Sequence, residues 1–195
     1  TEVGEAIRRS GVPRGEITLA TKLPGRFHGR KEARTGFEKS LTNLGVDYVD
    51  LFLIHWPLPR VDKFVETWQT MIDLREEGLI RSIGVSNFTQ RHLGRIMDET
   101  GVVPAVNQIE LHPHFPQADM RAFHAEHGIQ TQSRPPLAHQ QPLLDETPVT
   151  SVAAAPDVTP AQAVLRCTVQ DATGPIPQPT TLHRHAVPVC VFSSR

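Results

Sequence analysis

Five polar residues close four apolar runs in the first two thirds of the chain. Lys22 ends Ile17-Thr18-Leu19-Ala20-Thr21, and His55 follows Leu51-Phe52-Leu53-Ile54. Ser86 and Asn87 follow Ser82-Ile83-Gly84-Val85, and Gln108 follows Ala105-Val106-Asn107. A lysine at the end of a buried strand is partly desolvated, so it can titrate low or lower the pKa of a neighbouring acid. It can equally be a surface lysine whose stem lies along apolar atoms. His55 can hydrogen-bond a carbonyl or move a proton, or be a satisfied core histidine. Trp56, next to it, offers a flat wall for a substrate or ordinary packing. The hydroxyl and amides of Ser86, Asn87 and Gln108 both donate and accept, which suits an amide-bearing ligand. They also suit turn chemistry, since Ser-Asn after a strand often caps the next helix.

Other chemistries have less to stand on. His112-Pro113-His114 has the look of a metal pair but lacks carboxylates at a known ligand spacing. The two cysteines, Cys167 and Cys190, are far apart and form no CxxC motif. A disulfide scaffold, a structural zinc site and thiol catalysis are therefore not expected, and a reducing cytoplasm fits.

The elements that must position these residues alternate. Strands are expected near 17–22, 49–54, 81–85, 105–109 and 129–133. Between them lie helical patterns: Ala33, Phe37, Leu41 and Leu44 stopped by Gly45, then Phe64 to Ile72 stopped by Gly78. Arg91 to Glu99 and Gln117 to His127 follow. Near-continuous apolar strands at this spacing indicate a parallel sheet covered on both faces. The class is α/β, either a (β/α)8 TIM barrel or an open doubly wound sheet. No GxGxxG follows any strand, which weakens the dinucleotide-binding open sheet. A barrel would gather Lys22, His55, Ser86, Asn87 and Gln108 at one mouth.

Beyond Arg134 the pattern thins. Ten of the 17 prolines lie there. One helix is expected, with Thr159 as N-cap and Pro160 at its first position, and a short strand near 175–177. Residues 180–195 read as an irregular tail. The whole chain, 195 residues with 38% hydrophobic content, is read as one barrel domain. Its net charge of −1 excludes a strongly basic nucleic-acid surface as the main theme. No apolar run approaches the ~18 residues of a membrane span, and there is no signal segment. The chain starts at Thr1, so a fragment or processed product is expected.

Four segments together resemble the aldo-keto reductase family. Residues Met71 to Phe88 (MIDLREEGLIRSIGVSNF) resemble its central signature, and Leu51-Phe52-Leu53-Ile54-His55-Trp56-Pro57 resembles its histidine strand. Ala20-Thr21-Lys22-Leu23 resembles the lysine strand, and Val106 to Pro113 the strand whose glutamine faces nicotinamide. The closest subgroup is the bacterial 2,5-diketo-gluconate reductase-like enzymes. The resemblance implies a (β/α)8 barrel, NADPH as cofactor, and reduction of an aldehyde or ketone to an alcohol. It implies that Lys22 and His55 are catalytic, that Trp56 and His55 meet the substrate, and that Ser86, Asn87 and Gln108 bind the nicotinamide carboxamide.

Departures from the family pattern carry their own expectations. The segment that should hold the family's catalytic tyrosine and aspartate would precede Thr1. Tyr48, the one tyrosine, stands at the wrong end of a strand to replace it. With six strands placed, the family's first two are expected to be absent. Arg134 stands where an aromatic residue should stack on nicotinamide. A guanidinium plane can also stack, with its charge against an oxidised ring. Gln178 replaces the lysine expected at the 2′-phosphate, while Thr181 and Arg184 match neighbouring phosphate-side positions; selection for NADPH is expected to weaken. The expected partner is a small carbonyl substrate, with no nucleic-acid, membrane or obligate protein partner. Two alternatives remain: a non-catalytic relative that binds without turnover, and a metal-dependent hydrolase using His55, His112 and His114.

Overall fold

The structure is a computed structural model and describes residues 2–137, 142–154 and 158–176. Its strands are β1 (Ala20–Leu23), β2 (Val49–Ile54), β3 (Ile80–Ser86), β4 (Val106–Ile109), β5 (Gln130–Ser133) and β6 (Gly174–Pro175). Its helices are α1 (Glu2–Ser10), α2 (Arg30–Leu44), α3 (Phe64–Glu76), α4 (Gln90–Thr100), α5 (Ala118–His127), α6 (Thr147–Ala154) and α7 (Pro160–Gln170). The sheet order is β1-β2-β3-β4-β5-β6. A doubly wound sheet reverses its strand order at a switch point, whereas a barrel wall runs monotonically. The order decides between the two α/β architectures in favour of the barrel.

The chain divides into two compact units, with the boundary inside β4 between Asn107 and Gln108. In the first, parallel register pairs Lys22 with Leu53, and Leu53 with Gly84. Registered partners point to the same face and alternate residues to opposite faces. One face therefore carries Lys22, Leu51, Leu53, His55, Gly84 and Ser86. Leu51, Leu53 and Val106 form a buried apolar cluster there. Gly84 makes room for it: a Cβ at that position would lie 2.7 Å from the Val106 carbonyl oxygen. The opposite face meets the helices. Phe52 contacts Phe37 of α2 edge-on at 5.1 Å between ring centroids, and Phe64, Trp68, Met71 and Leu74 of α3 are buried. Gly45 closes α2 in left-handed backbone, as the pattern requires.

β1 begins three residues later than the apolar run suggests. The Leu19 N–H donates to the Asp50 carboxylate at 2.9 Å rather than to a strand neighbour. Asp50 also pairs with Arg14 and Arg81, each at 2.8 Å. Both guanidiniums lie against the Tyr48 ring, at 4.0 and 4.7 Å from its centroid. Burial alone would raise the Asp50 pKa. The Leu19 N–H, the Arg14 hydrogen bond and the two positive charges outweigh burial and hold the carboxyl below its ordinary value.

In the second unit, β5 and β6 pair in parallel, Gln132 with Gly174 and Ser133 with Pro175. The part of the expected last strand from residue 177 onward, and the expected tail, lie outside the described residues. Thr159 caps α7 reciprocally with Gln162, and Pro160 follows it, as expected. The expectation of a single helix beyond Arg134 is corrected by α6. Pro148 near its start and the β-branched Val149, Thr150 and Val152 hide it in a propensity reading. α7 also runs to Gln170, four residues past the expected end, because Leu165 and Thr168 continue its buried face.

Candidate active site

Lys22 and His55 end neighbouring strands and share a face. The His55 N–H donates to the Leu23 carbonyl at 3.3 Å, so His55 begins where the β1–β2 ladder stops. Both side chains are half-buried, accessible to a ligand yet partly shielded from water. Trp56 next to His55 is 52% exposed, with its ring centroid 6.3 Å from the imidazole. The ring is left open just past the strand end and is not part of the buried core.

Ser86 and Asn87 stand at the end of the next strand. Ser86 is buried at the end of β3, on the His55 face. Asn87 turns out of the strand at φ 63°, the left-handed region that Asn tolerates better than most residues. Its Nδ2 donates to the Ser86 Oγ and to the His55 carbonyl, at 3.1 and 3.0 Å. Next to it, Phe88 is buried and meets Phe64 edge-on at 5.7 Å. Thr89 then caps α4 together with His92. Asn87 thus supplies the turn, but the cap of α4 is Thr89 and not the Ser86-Asn87 pair expected from the sequence.

In the second unit, Gln108 is buried, and its Nε2 donates to the Gln132 Oε1 at 3.0 Å. Gln132 was not among the expected site residues. It is an amide at the end of a strand, which is the signal that singled out Gln108. Arg134 is exposed just past β5, and its N–H donates to the Ile109 carbonyl at 2.8 Å. Gln178, Thr181 and Arg184 lie outside the described residues.

Tyr48 lies at the opposite end of β2 from His55. Its hydroxyl accepts from Arg81 at 3.2 Å, and two guanidiniums lie against its ring. The phenol is part of the Asp50 cluster, not of the site. The metal-hydrolase alternative also loses ground. His112 pairs with Glu110 at 3.3 Å and His114 with Glu146 at 2.9 Å. No group of three or more His, Cys, Asp or Glu among the described residues is placed to hold a metal ion.

The family model of the aldo/keto reductase family matches residues 1–150. This chain belongs to the aldo/keto reductase family. It is 56% identical over 178 residues to 2,5-diketo-D-gluconic acid reductase B of Corynebacterium sp. (strain SHS752001), covering 91% of this chain and 64% of that protein. The subgroup resemblance read from the motifs is borne out. The chain thus spans somewhat less than two thirds of that relative's length. An aldo/keto reductase from Brucella melitensis superposes with a TM-score of 0.95 at 43% identity, over 98% of this chain and 74% of that one. A mutant of Gox0644 in complex with NADPH superposes at 0.93 with 41% identity, over 98% and 69%. These relatives are (β/α)8 barrels, and the six strands described here are part of that wall.

Proposed function

We propose that the protein reduces a small aldehyde or ketone to an alcohol, with NADPH as the hydride source. The observation that carries this reading is the placement of Lys22 and His55 on one face at adjoining strand ends, beside Ser86 and Asn87. The donor set fits a nicotinamide carboxamide, which presents one carbonyl acceptor and one amino donor. Ser86 and Asn87 offer a hydroxyl and an amide. In the second unit, Gln108 is an amide whose nitrogen is engaged by Gln132. NADPH, when bound, would supply the hydride for the carbonyl carbon, and the proton taken by the oxygen would come from solvent water.

The chain's own residues act on that oxygen. The imidazole of His55 donates a hydrogen bond to it and orients the carbonyl. The Lys22 ammonium stabilises negative charge developing nearby. Trp56 supplies an apolar wall that excludes water from one side. Arg134, Thr181 and Arg184 are assigned to the cofactor. Gln178 supplies no charge for a 2′-phosphate, so the preference over NADH is weakened. The free, exposed Cys167 thiol is compatible with a cytoplasmic location.

A second reading, binding without turnover, is favoured by the engagement of Tyr48 in the Asp50 cluster. This chain brings no phenol to the site. Following nicotinamide absorbance with a panel of small carbonyl compounds separates the readings. Carbonyl-dependent NADPH oxidation supports the first. Tight NADPH binding without oxidation supports the second, and neither binding nor oxidation overturns both.

A further inference from the structure

We propose that Asn87 is a positioning residue for His55, acting as a side-chain rung that fixes the histidine at the tip of β2. The proposal rests on the carbonyl-reduction reading for its catalytic consequence. The backbone ladder between β2 and β3 ends at the Ile54–Val85 pair. One residue further, the Asn87 Nδ2 donates to the His55 main-chain carbonyl at 3.0 Å. On the other flank, the His55 N–H donates to Leu23 at 3.3 Å. The histidine's peptide groups are therefore held from both neighbours at the point where the chain leaves the sheet. Without Asn87 the carbonyl would turn to water and the tip, Trp56 included, would fray.

The anchor is itself rigid. The Phe88 carbonyl accepts from the Asn107 side chain at 3.0 Å, and Phe88 is 1% exposed. Asparagine meets two demands at once: it accepts left-handed backbone, here φ 63°, and it carries an amide long enough to cross to β2. Glycine satisfies the first demand alone. Aspartate satisfies the first and keeps the shape, but brings no hydrogens. Both Asn87 amide hydrogens are engaged within the protein, one on His55 and one on Ser86. What Asn87 offers a ligand is therefore its oxygen, an acceptor. Cofactor amide and substrate-orienting imidazole are joined through one side chain.

The substitutions Asn87→Gly and Asn87→Asp separate these roles. Both leave the left-handed turn unstrained and remove the donor; only Asp keeps an acceptor. His55-Trp56 is the sole His-Trp pair in the chain, so carbonyl-13C histidine with 15N tryptophan gives a single amide-to-carbonyl cross-peak. The His55 carbonyl carbon is expected to shift upfield in both variants, with broadened imidazole signals. With NADPH and a carbonyl substrate, kcat is expected to fall roughly two- to tenfold in both, the worth of one hydrogen bond. The dissociation constant for NADPH is expected to rise more in Asn87→Gly than in Asn87→Asp. Unchanged His55 carbonyl and imidazole signals would overturn the proposal, as would loss confined to NADPH binding with kcat intact. If no variant and no parent protein oxidises NADPH, the functional reading fails, and the His55 carbonyl shift still decides the rung.

Discussion

In the proposed reaction His55 and Lys22 act through different physics, and their substitutions should show it. Removing the imidazole in His55→Ala takes away the donor to the carbonyl oxygen, and Lys22→Met takes away a charge at a half-buried strand end. Each should lower kcat/KM for carbonyl reduction by about 10²–10³-fold, the range typical of a donor or charge aimed at a developing oxyanion. Circular dichroism should stay unchanged. Trp56→Ala should behave otherwise. Its ring is 52% exposed and supports no core, so KM for the carbonyl should rise while kcat and thermal stability hold. A stability loss in Trp56→Ala would show that the ring packs rather than binds. At this scale the sequence was informative about position: Lys22, Ser86 and Gln108 lie in the last two residues of their strands, and His55 and Asn87 just beyond theirs. Gln132 escaped notice because its value comes from a partner across the sheet, Gln108.

At the scale of elements, the inner face of the sheet is packed without slack around Gly84. A methyl there meets the Val106 carbonyl oxygen at 2.7 Å and the Leu53 side chain at 2.8 Å. The first contact is with backbone and cannot rotate away. Gly84→Ala should therefore destabilise by about 1–3 kcal/mol, the usual cost of overpacking. Urea denaturation should show a lower midpoint with an unchanged slope. An unaffected midpoint would mean that β3 and β4 separate more easily than their packing indicates. The alternation of strands and helices from β1 to β5 along the chain was legible from periodicity alone. The late start of β1 was not, because it depends on a carboxylate 31 positions away in sequence capturing the Leu19 N–H. The helix α6 was hidden because short, β-branched segments are held by packing rather than by propensity.

For the molecule as a whole, two buried groups set the response to acid. Burial pushes the His28 imidazole below its ordinary pKa, and neither ring nitrogen has a hydrogen-bond partner among the described residues. The unfolded chain then takes up a proton before the folded one does. Stability present above the ordinary value of about 6.5 is lost as pH falls below it. His28→Leu should flatten that part of the profile of Tm against pH. Asp50 acts lower down. Its folded pKa is held below normal, so its contribution is present above about 3.9 and is lost as pH falls below that. Asp50→Asn should lower Tm at neutral pH and remove the steep acid limb. An acid limb that persists in both variants would place the sensitive groups elsewhere.

The sequence by itself determined the α/β class, the alternation of elements, and which polar side chains stand at strand ends. These follow from local patterns: runs of apolar residues, helical periodicity, and caps such as Thr159 and Gly45. Only the tertiary structure decided what those residues do to one another. Strand order settled barrel wall against doubly wound sheet, since both produce the same alternation. Register put Lys22 and His55 on one face, and a one-residue slip would have parted them. The roles of Asn87 and Asp50 are bonds across adjacent strands, to His55 and to Leu19. Such bonds join residues about thirty positions apart. No local pattern encodes them; they exist once parallel pairing brings the strands side by side.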